Sequence, residues 1–408
     1  MSILTILRRT PPRSAPEDAP FRRDPLFCCE GEKSVIQCRK KETRWVSVRL
    51  IGTAELEDIA LGAALLGAGG GGDPYIGKLM AMSAIKSCGP ARLMDPGELA
   101  DDALVVPIGM MGAPTVLAEK GIGSHDIEDL HEMIRQMYGR EIDAFLCTEA
   151  GGVNSMMPLT ASARTGIPLV DGDGMGRAFP ELQMETMALG GVTASPCALV
   201  DEKGNRVIFQ TVDNRWLERL ARAACVEAGG NVSVCMYIMD GLTCKQYCVP
   251  GTMSRCQSIG RVIRTAKTQL DSREFFFRET GAFPLFAGKI TDVDRVVKGG
   301  FNRGSVTLSG TGEDQGQTAR VVFQNENLAA YRGGALLATT PDLICLVDQA
   351  TFLPVTTDRL KYGKRVLLIG LPCHPLWRTE EGLALVGPRY FGLDCDYIPL
   401  EDRVKAYV

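Results

Sequence analysis

The sequence predicts an α/β domain with a largely parallel sheet, followed by an α+β domain containing a barrel-like β part. Three observations carry this. Helix and strand patterns alternate from Val46 to about Val212, the signature of parallel sheets with crossover helices. Between Leu285 and about Leu371, strand patterns recur at short spacing around turns such as Gly299-Gly300 and Gly333-Gly334, which suits a small barrel. Glycine is abundant, with 45 residues in 408, and that calls for many tight turns and close backbone approaches.

The first helix spans Ala54 to about Leu66, with Thr53 as N-cap, Glu55, Glu57 and Asp58 at its positive end, and an apolar stripe of Leu56, Ile59, Ala60 and Ala63. The glycine loop Gly67–Gly72 follows. Asp73 and Pro74 are a cap and first-turn pair for a second helix through Ile85. Ala103–Ile108 and Asp143–Thr148 are buried-strand patterns separated by a helix around Asp126–Met137. A helix near Ser155–Arg164 leads to the strand Ile167–Val170. Beyond residue 212 come a helix at Asn214–Ala228, a strand at Val232–Met239 and a helix at Thr252–Lys267. The barrel-like part then comprises Phe286–Ile290, Ser305–Leu308, Arg320–Phe323, Leu336–Ala338, Leu343–Val347 and Val366–Ile369. The domain expectation is therefore a tail over 1–45, an α/β domain over 46–212 and a second domain over 213–408.

The first 45 residues read differently. They hold ten Lys/Arg against six Asp/Glu, five prolines and no apolar periodicity. The acidic residues argue against a transit peptide, so a disordered tail or a misplaced start is expected. The whole chain carries a net charge of −4, which gives no electrostatic footprint for nucleic acid or an acidic membrane. The longest uncharged stretch, Ala103–Ala118, is broken by Pro107, Pro114 and glycines and is too short to span a bilayer. The 14 cysteines form no C-x-x-C pair, so reduced thiols in a cytoplasmic protein are expected. With only three histidines, a three-histidine metal site would need all of them.

Four segments carry chemistry. The loop Gly67-Ala-Gly-Gly-Gly-Gly72 satisfies G-x-G-x-x-G but follows a helix rather than a strand, which argues against a dinucleotide site and leaves a nucleotide-dependent oxidoreductase as a lesser alternative. Its unhindered amides, Gly70, Gly71 and Gly72, lead to the helix at Asp73 and can hold an anion or a polar carbonyl; a plain turn is the alternative. Glu149-Ala-Gly-Gly-Val-Asn154 follows directly on a strand, where ligands gather in parallel sheets. Glu149 and Asn154 there make a polar site, or else a capped loop in which Asn154 starts the next helix. Asp171-Gly-Asp-Gly-Met-Gly-Arg177-Ala-Phe-Pro-Glu181 occupies the equivalent place after the following strand. Asp171 and Asp173 can take a divalent cation or poise a water, and Arg177 can clamp a carboxylate; an internal Asp–Arg loop is the alternative. Cys256 lies four residues into a helix beside Arg255, both of which lower a thiol pKa. No nucleophile elbow, H-E-x-x-H or P-loop occurs, which excludes standard serine hydrolases, zincins and kinases.

Together these strings resemble a known family, the S-methyl thiohydantoin desulfurases, formerly a domain of unknown function with hydantoinase-like members. The matching strings are Gly69-Gly-Gly-Gly-Asp-Pro-Tyr75, the segments 149–154 and 171–181, Gly299-Gly-Phe-Asn-Arg-Gly304, Phe323-Gln-Asn-Glu-Asn327, Pro341-Asp-Leu343, Glu381-Gly-Leu383 and Gly387-Pro-Arg-Tyr-Phe-Gly392. They agree in order and spacing over roughly Val46 to Glu401. The resemblance implies a three-layer α/β domain, then a domain with a β-barrel. It also implies hydrolysis of a five-membered (thio)hydantoin ring with release of sulfide or methylthiol, in ergothioneine-type catabolism. A hydantoinase- or oxoprolinase-like amide hydrolase and a non-catalytic binding subunit are the alternatives.

Within that reading, Glu149, Asp171, Asp173 and Cys256 are the candidate catalytic residues. Gly70, Gly71, Gly72, Asp73, Asn154 and Arg177 are the candidate substrate contacts. The cofactor is open; a divalent metal would rest on Asp171 and Asp173. The expected partners are a small-molecule substrate and either further copies of the chain or a hydantoinase-type complex.

Overall fold

A computed structural model describes residues 48–112, 116, 123, 125–298 and 301–405. The tail expected over residues 1–45 lies outside the described residues. The described residues form one compact unit.

Two sheets organise it. The first comprises β1 (Val48–Ile51), β2 (Ala91–Met94), β3 (Leu104–Gly112), β4 (Ala144–Cys147), β5 (Leu169–Asp173), β6 (Cys197–Val200), β7 (Arg206–Phe209), β8 (Asn231–Cys235), β9 (Met239–Asp240) and β10 (Val249–Pro250). Its order is β1-β2-β5-β4-β3-β8-β6-β7, with β10 on β5 and β9 on β3. The central four, β2, β5, β4 and β3, run parallel, and the flanking strands pair antiparallel. Their near-continuous apolar runs fit a sheet covered on both faces. One face packs against helices Leu56–Leu66, Tyr75–Cys88, Asp126–Tyr138, Met157–Thr165 and Thr252–Ala266. The other packs against Asn214–Glu227 and Gly241–Tyr247. This is the three-layer arrangement.

The second sheet is antiparallel throughout: β11 (Phe283–Lys298), β12 (Phe301–Gly310), β13 (Thr318–Gln324), β14 (Glu326–Arg332), β15 (Ala335–Thr339), β16 (Leu343–Asp348) and β17 (Arg365–Leu371). The order β15-β14-β13-β12-β11-β17-β16 curls into a half-barrel around Phe286, Ile290, Val306, Leu308, Val321 and Leu368. Its ends do not pair, so the barrel is open.

Most boundaries differ from expectation by up to four residues, and β11 runs eight past its expected end; helix ends depend on local bonds that periodicity does not reveal. The first helix begins at Leu56 with Glu55, not Thr53, at its N-cap, because the Glu55 carboxylate turns back to accept from the Gly52 amide at 2.9 Å. The second runs to Cys88, with Pro74 rather than Asp73 at its N-cap. The helix Thr252–Ala266 crosses Leu56–Leu66 at very short range: a Cβ on Gly62 would fall on the Cys256 main chain, and one on Gly260 on that of Asp58. Arg264 Nε closes the crossing on Asp58 Oδ1 at 2.8 Å. Among the described residues no helix is long and apolar enough to cross a membrane, and the cysteines are free.

Candidate active site

The carboxyl ends of β4 and β5 and the turn between β13 and β14 converge on a cavity of about 100 Å³. Glu149 and Asn154 come from the loop after β4, Thr148 from its edge, and Gly71 from the glycine loop. The segment after β5 brings Met175, Phe179 and Glu181. The half-barrel supplies Asn325 and Glu326, and the helix Asn214–Glu227 supplies Arg222. Methionines 110, 111, 175 and 236 give the rest of the wall a soft thioether character.

The glycine loop is what lets these pieces meet. Gly71 sits at φ +67°, and a Cβ there would approach the Gly151 carbonyl to 2.8 Å. Val153 N donates to Gly71 O at 2.9 Å, Asn327 N to Ala68 O at 2.8 Å, and Thr357 N to Gly69 O at 2.8 Å. A Cβ on Gly70 would fall on Glu326 Oε1. The Gly70 amide is spent on Gly67 O at 2.8 Å, and the Gly71 amide faces a carboxylate the chain itself supplies, that of Glu326. Gly72 contributes packing, with its carbonyl against Gly152. Asp73 accepts from Tyr75 N at 3.0 Å and pairs with Arg359, away from the cavity.

Glu149 and Asn154 do meet in the cavity. Asn154 Nδ2 donates to Glu149 Oε1 at 2.7 Å and to Met110 O at 3.1 Å, while its Oδ1 accepts from Met110 N at 2.6 Å. Both donors of that amide are thus occupied, and Asn154 orients Glu149. It sits in a 3-10 turn, Gly152–Ser155, ahead of the helix it was expected to start. Glu149 Oε2 makes no hydrogen bond of normal geometry. Burial first, then the charge of Glu326, push Glu149 up to about 8, against the opposing Asn154 bond. Glu326 is pushed by burial to about 7, held back by Arg177, the Gly71 amide and Arg222.

Asp173 lies directly behind, wholly buried, accepting from Ala150 N at 2.7 Å and Gly176 N at 2.9 Å. Burial lifts it to about 7 in spite of those donors. Glu185 is also wholly buried, neither oxygen has a partner among the described residues, and burial with Asp173 and Glu149 nearby pushes it well above the usual carboxylate range.

Three expected residues are placed elsewhere. Asp171 faces the helix Thr252–Ala266, where it accepts from Ser254 N at 3.0 Å and from Ser254 Oγ; it caps that helix from across the fold. Asp171 and Asp173 thus spend their oxygens on amide and hydroxyl donors. Among the described residues no three His, Cys, Asp or Glu side chains form a metal-holding group. Arg177 is fully buried and donates to main-chain carbonyls: Ala178 at 2.9 Å, Pro341 at 2.9 Å, Asp342 at 2.8 Å and Asn327 at 3.4 Å. It staples the half-barrel to the α/β layer and does not line the cavity. Cys256 is fully buried with Sγ on Ala150 O at 3.7 Å; burial and Asp173 push its thiol up, outweighing Arg255. The expectation of a lowered thiol pKa is corrected accordingly.

Arg222 is the cavity's guanidinium, and sequence reasoning passed over it. Its Nε donates to Glu218 Oε1 at 2.7 Å and Nη2 to Pro180 O at 3.2 Å, and its Nη1 has no partner among the described residues. Glu326 was likewise missed as a site residue, although it lies in the string Phe323–Asn327. The available signal was a glutamate between two asparagines in a strand-to-strand turn, which is weak alone.

Two family models match the chain: the S-Me-THD-like N-terminal domain over residues 54–211 and the S-Me-THD-like C-terminal domain over residues 212–400. No curated protein matches it. The crystal structure of a protein from Chromobacterium violaceum is similar at 23% identity, with a TM-score of 0.73, over 86% of this chain and all of that one. At that identity the likeness speaks for the fold.

Proposed function

The chain belongs to the S-Me-THD-like family, and from that premise we propose that it hydrolyses an S-methyl thiohydantoin-type ring, releasing methanethiol and leaving a ring carbonyl. The observation that carries this is the pair of buried carboxyls, Glu149 and Glu326, on one small cavity, with pKa values raised to about 8 and about 7. Two carboxyls titrating close to neutrality suit acid and base work in one turnover.

The roles follow from their surroundings. Glu326, next to the Gly71 amide and Arg222, is the ionised partner and takes a proton from the attacking water. Glu149 is the protonated partner and delivers its proton to the ring nitrogen as the water oxygen bonds to the thioimidate carbon. In the collapse, Glu149 recovers a proton from the new hydroxyl, the C–S bond breaks, and Glu326 returns its proton to the departing thiolate. Both carboxyls end as they began. Arg222 Nη1 anchors an anionic substituent on the ring, and the methionine wall receives the methylthio group. Asp173 and Glu185 form the buried floor that keeps Glu149 protonated.

The test is methanethiol release from an S-methyl thiohydantoin by the purified chain, compared with Glu326→Gln. A hundredfold to ten-thousandfold loss of turnover is expected on the scale of general acid–base catalysis, roughly 10²–10⁴. Turnover in Glu326→Gln within about threefold of the parent would remove the carboxyl pair from the mechanism.

A further inference from the structure

More cationic groups gather next to the cavity-lining Arg222 than a ring with one anionic substituent requires. Arg215, Arg219 and Arg222 lie at i, i+4 and i+7 on the helix Asn214–Glu227, so they share one stripe. Each guanidinium is stacked on an aromatic ring: Arg215 at 5.9 Å from the Tyr390 centroid, Arg219 at 4.6 Å from Trp216, and Arg222 at 4.6 Å from Phe301. Arg303, from β12, reaches the same Phe301 ring at 5.6 Å. Two guanidiniums, one of them the cavity-lining Arg222, therefore converge on one ring.

Their pairing is uneven. Arg222 is matched by Glu218, whereas Arg215, Arg219 and Arg303 make no ion pair or hydrogen bond among the described residues. The ring under Arg215 belongs to the mouth as well, because Tyr390 OH donates at 2.7 Å to Glu181, which lines the cavity. Outside its first 45 residues the chain is net acidic, at −8, since those residues hold +4 of the total of −4. Three unmatched arginines held on aromatic platforms beside the cavity-lining Arg222, in an acidic body, point to an anionic ligand group outside the cavity.

We propose that the mouth is a second anion subsite, so that the ligand is dianionic: one anionic group meets Arg222 inside, and a second, carboxylate or phosphate, meets Arg303 and the Arg215–Arg219 stripe outside. The identity of the ring rests on the hydrolytic reading above; the two-anion requirement rests on the arginines alone.

The experiment measures binding by calorimetry, using hydantoin acetate with one carboxylate and hydantoin succinate with two. These rings carry no leaving sulfur, so the readout does not depend on methanethiol release. The dicarboxylate should bind about fivefold tighter, the scale of an exposed charge pair. In Arg303→Gln, an exposed position, that ratio should fall to about one with affinity for the monocarboxylate unchanged. Raising salt from about 0.05 to about 0.5 M should compress the ratio in the same way. Equal binding of the two compounds, or a ratio that Arg303→Gln leaves unmoved, overturns the subsite. A phosphonate analogue preferred over the dicarboxylate assigns the outer group to phosphate within the same proposal. If Arg303 governs the ratio in a chain that releases no methanethiol, the subsite stands and the proposed reaction falls. Methanethiol release together with equal binding gives the reverse.

Discussion

Glu149→Gln should make the protein more stable in alkaline solution while stopping its chemistry. The substitution keeps the shape of the side chain, and the amide oxygen can still accept from Asn154 Nδ2, now at 2.7 Å from Glu149 Oε1. What it removes is a proton that the folded state must hold. Glu149 titrates at about 8 when folded, against 4.5 as the ordinary value. Between those values the folded state binds the proton and the unfolded state does not, so stability falls as pH rises through this window and levels off above the folded pKa. From pH ~5.5 to ~8 this comes to about 3.5 kcal/mol, at about 1.4 kcal/mol per unit. Glu326 and Asp173 release protons over the same range and take a share, leaving roughly 1–3 kcal/mol to Glu149 itself. Urea unfolding of parent and variant at about pH 5.5, 7 and 8.5 reads the difference. The variant should gain on the parent steadily with pH. Parallel profiles, or a variant that is less stable throughout, would refute the claim that a buried protonated carboxyl faces the cavity.

Other positions test the rest of the construction. Arg177→Met should cost about 3–5 kcal/mol in chemical denaturation, because it strips the Pro341, Asp342 and Asn327 carbonyls of a buried charged donor; a cost under ~1 kcal/mol would mean that the guanidinium is not the staple described. Gly70→Ala should abolish turnover and lower Tm, since its Cβ would fall on Glu326 Oε1, whereas Gly89→Ala, at a positive-φ turn where a Cβ meets nothing within 4 Å, should lower Tm and leave turnover alone. Cys256→Ala should retain turnover within about twofold at a stability cost of about 1 kcal/mol or more, as for a small core side chain; alkylation of the native chain, read by peptide mass, should mark exposed Cys88 before Cys256.

How much could be read before folding depended on the range of the interaction involved. Helix and strand patterns report a local alternation between buried and exposed sides, so the parallel strands β3, β4 and β5, the helix Thr252–Ala266 and six of the seven strands after Leu285 were legible. β1, β2 and β7 were not, because each is four residues that include an arginine, Arg49, Arg92 or Arg206, unlike the equally short but wholly apolar β4; β6 and the polar-led β14 also went unread. Glu149 was found because it follows a strand in a parallel sheet, a place that topology makes important. Asp173 was singled out for the same reason and lies behind the cavity rather than on it, while its neighbour Asp171 turns to Ser254. Two acids two residues apart on a strand share a side, yet which donors await them, the Ser254 amide or the Ala150 and Gly176 amides, is settled by chain segments far away.

The sequence by itself determined the alternating helices and strands of the α/β sheet up to residue 212, the all-β region and the glycine-rich loops, because those rest on patterning and turn chemistry within a few residues. Tertiary structure alone decided which charges face the cavity. Glu326 meets Glu149 across 177 positions of chain, Arg222 rather than Arg177 lines the cavity, and Cys256 is sealed under Gly62. A carboxyl's proton affinity and a guanidinium's reach depend on what is packed around them. Burial and neighbouring charge are properties of the assembled core, and no local spacing encodes them.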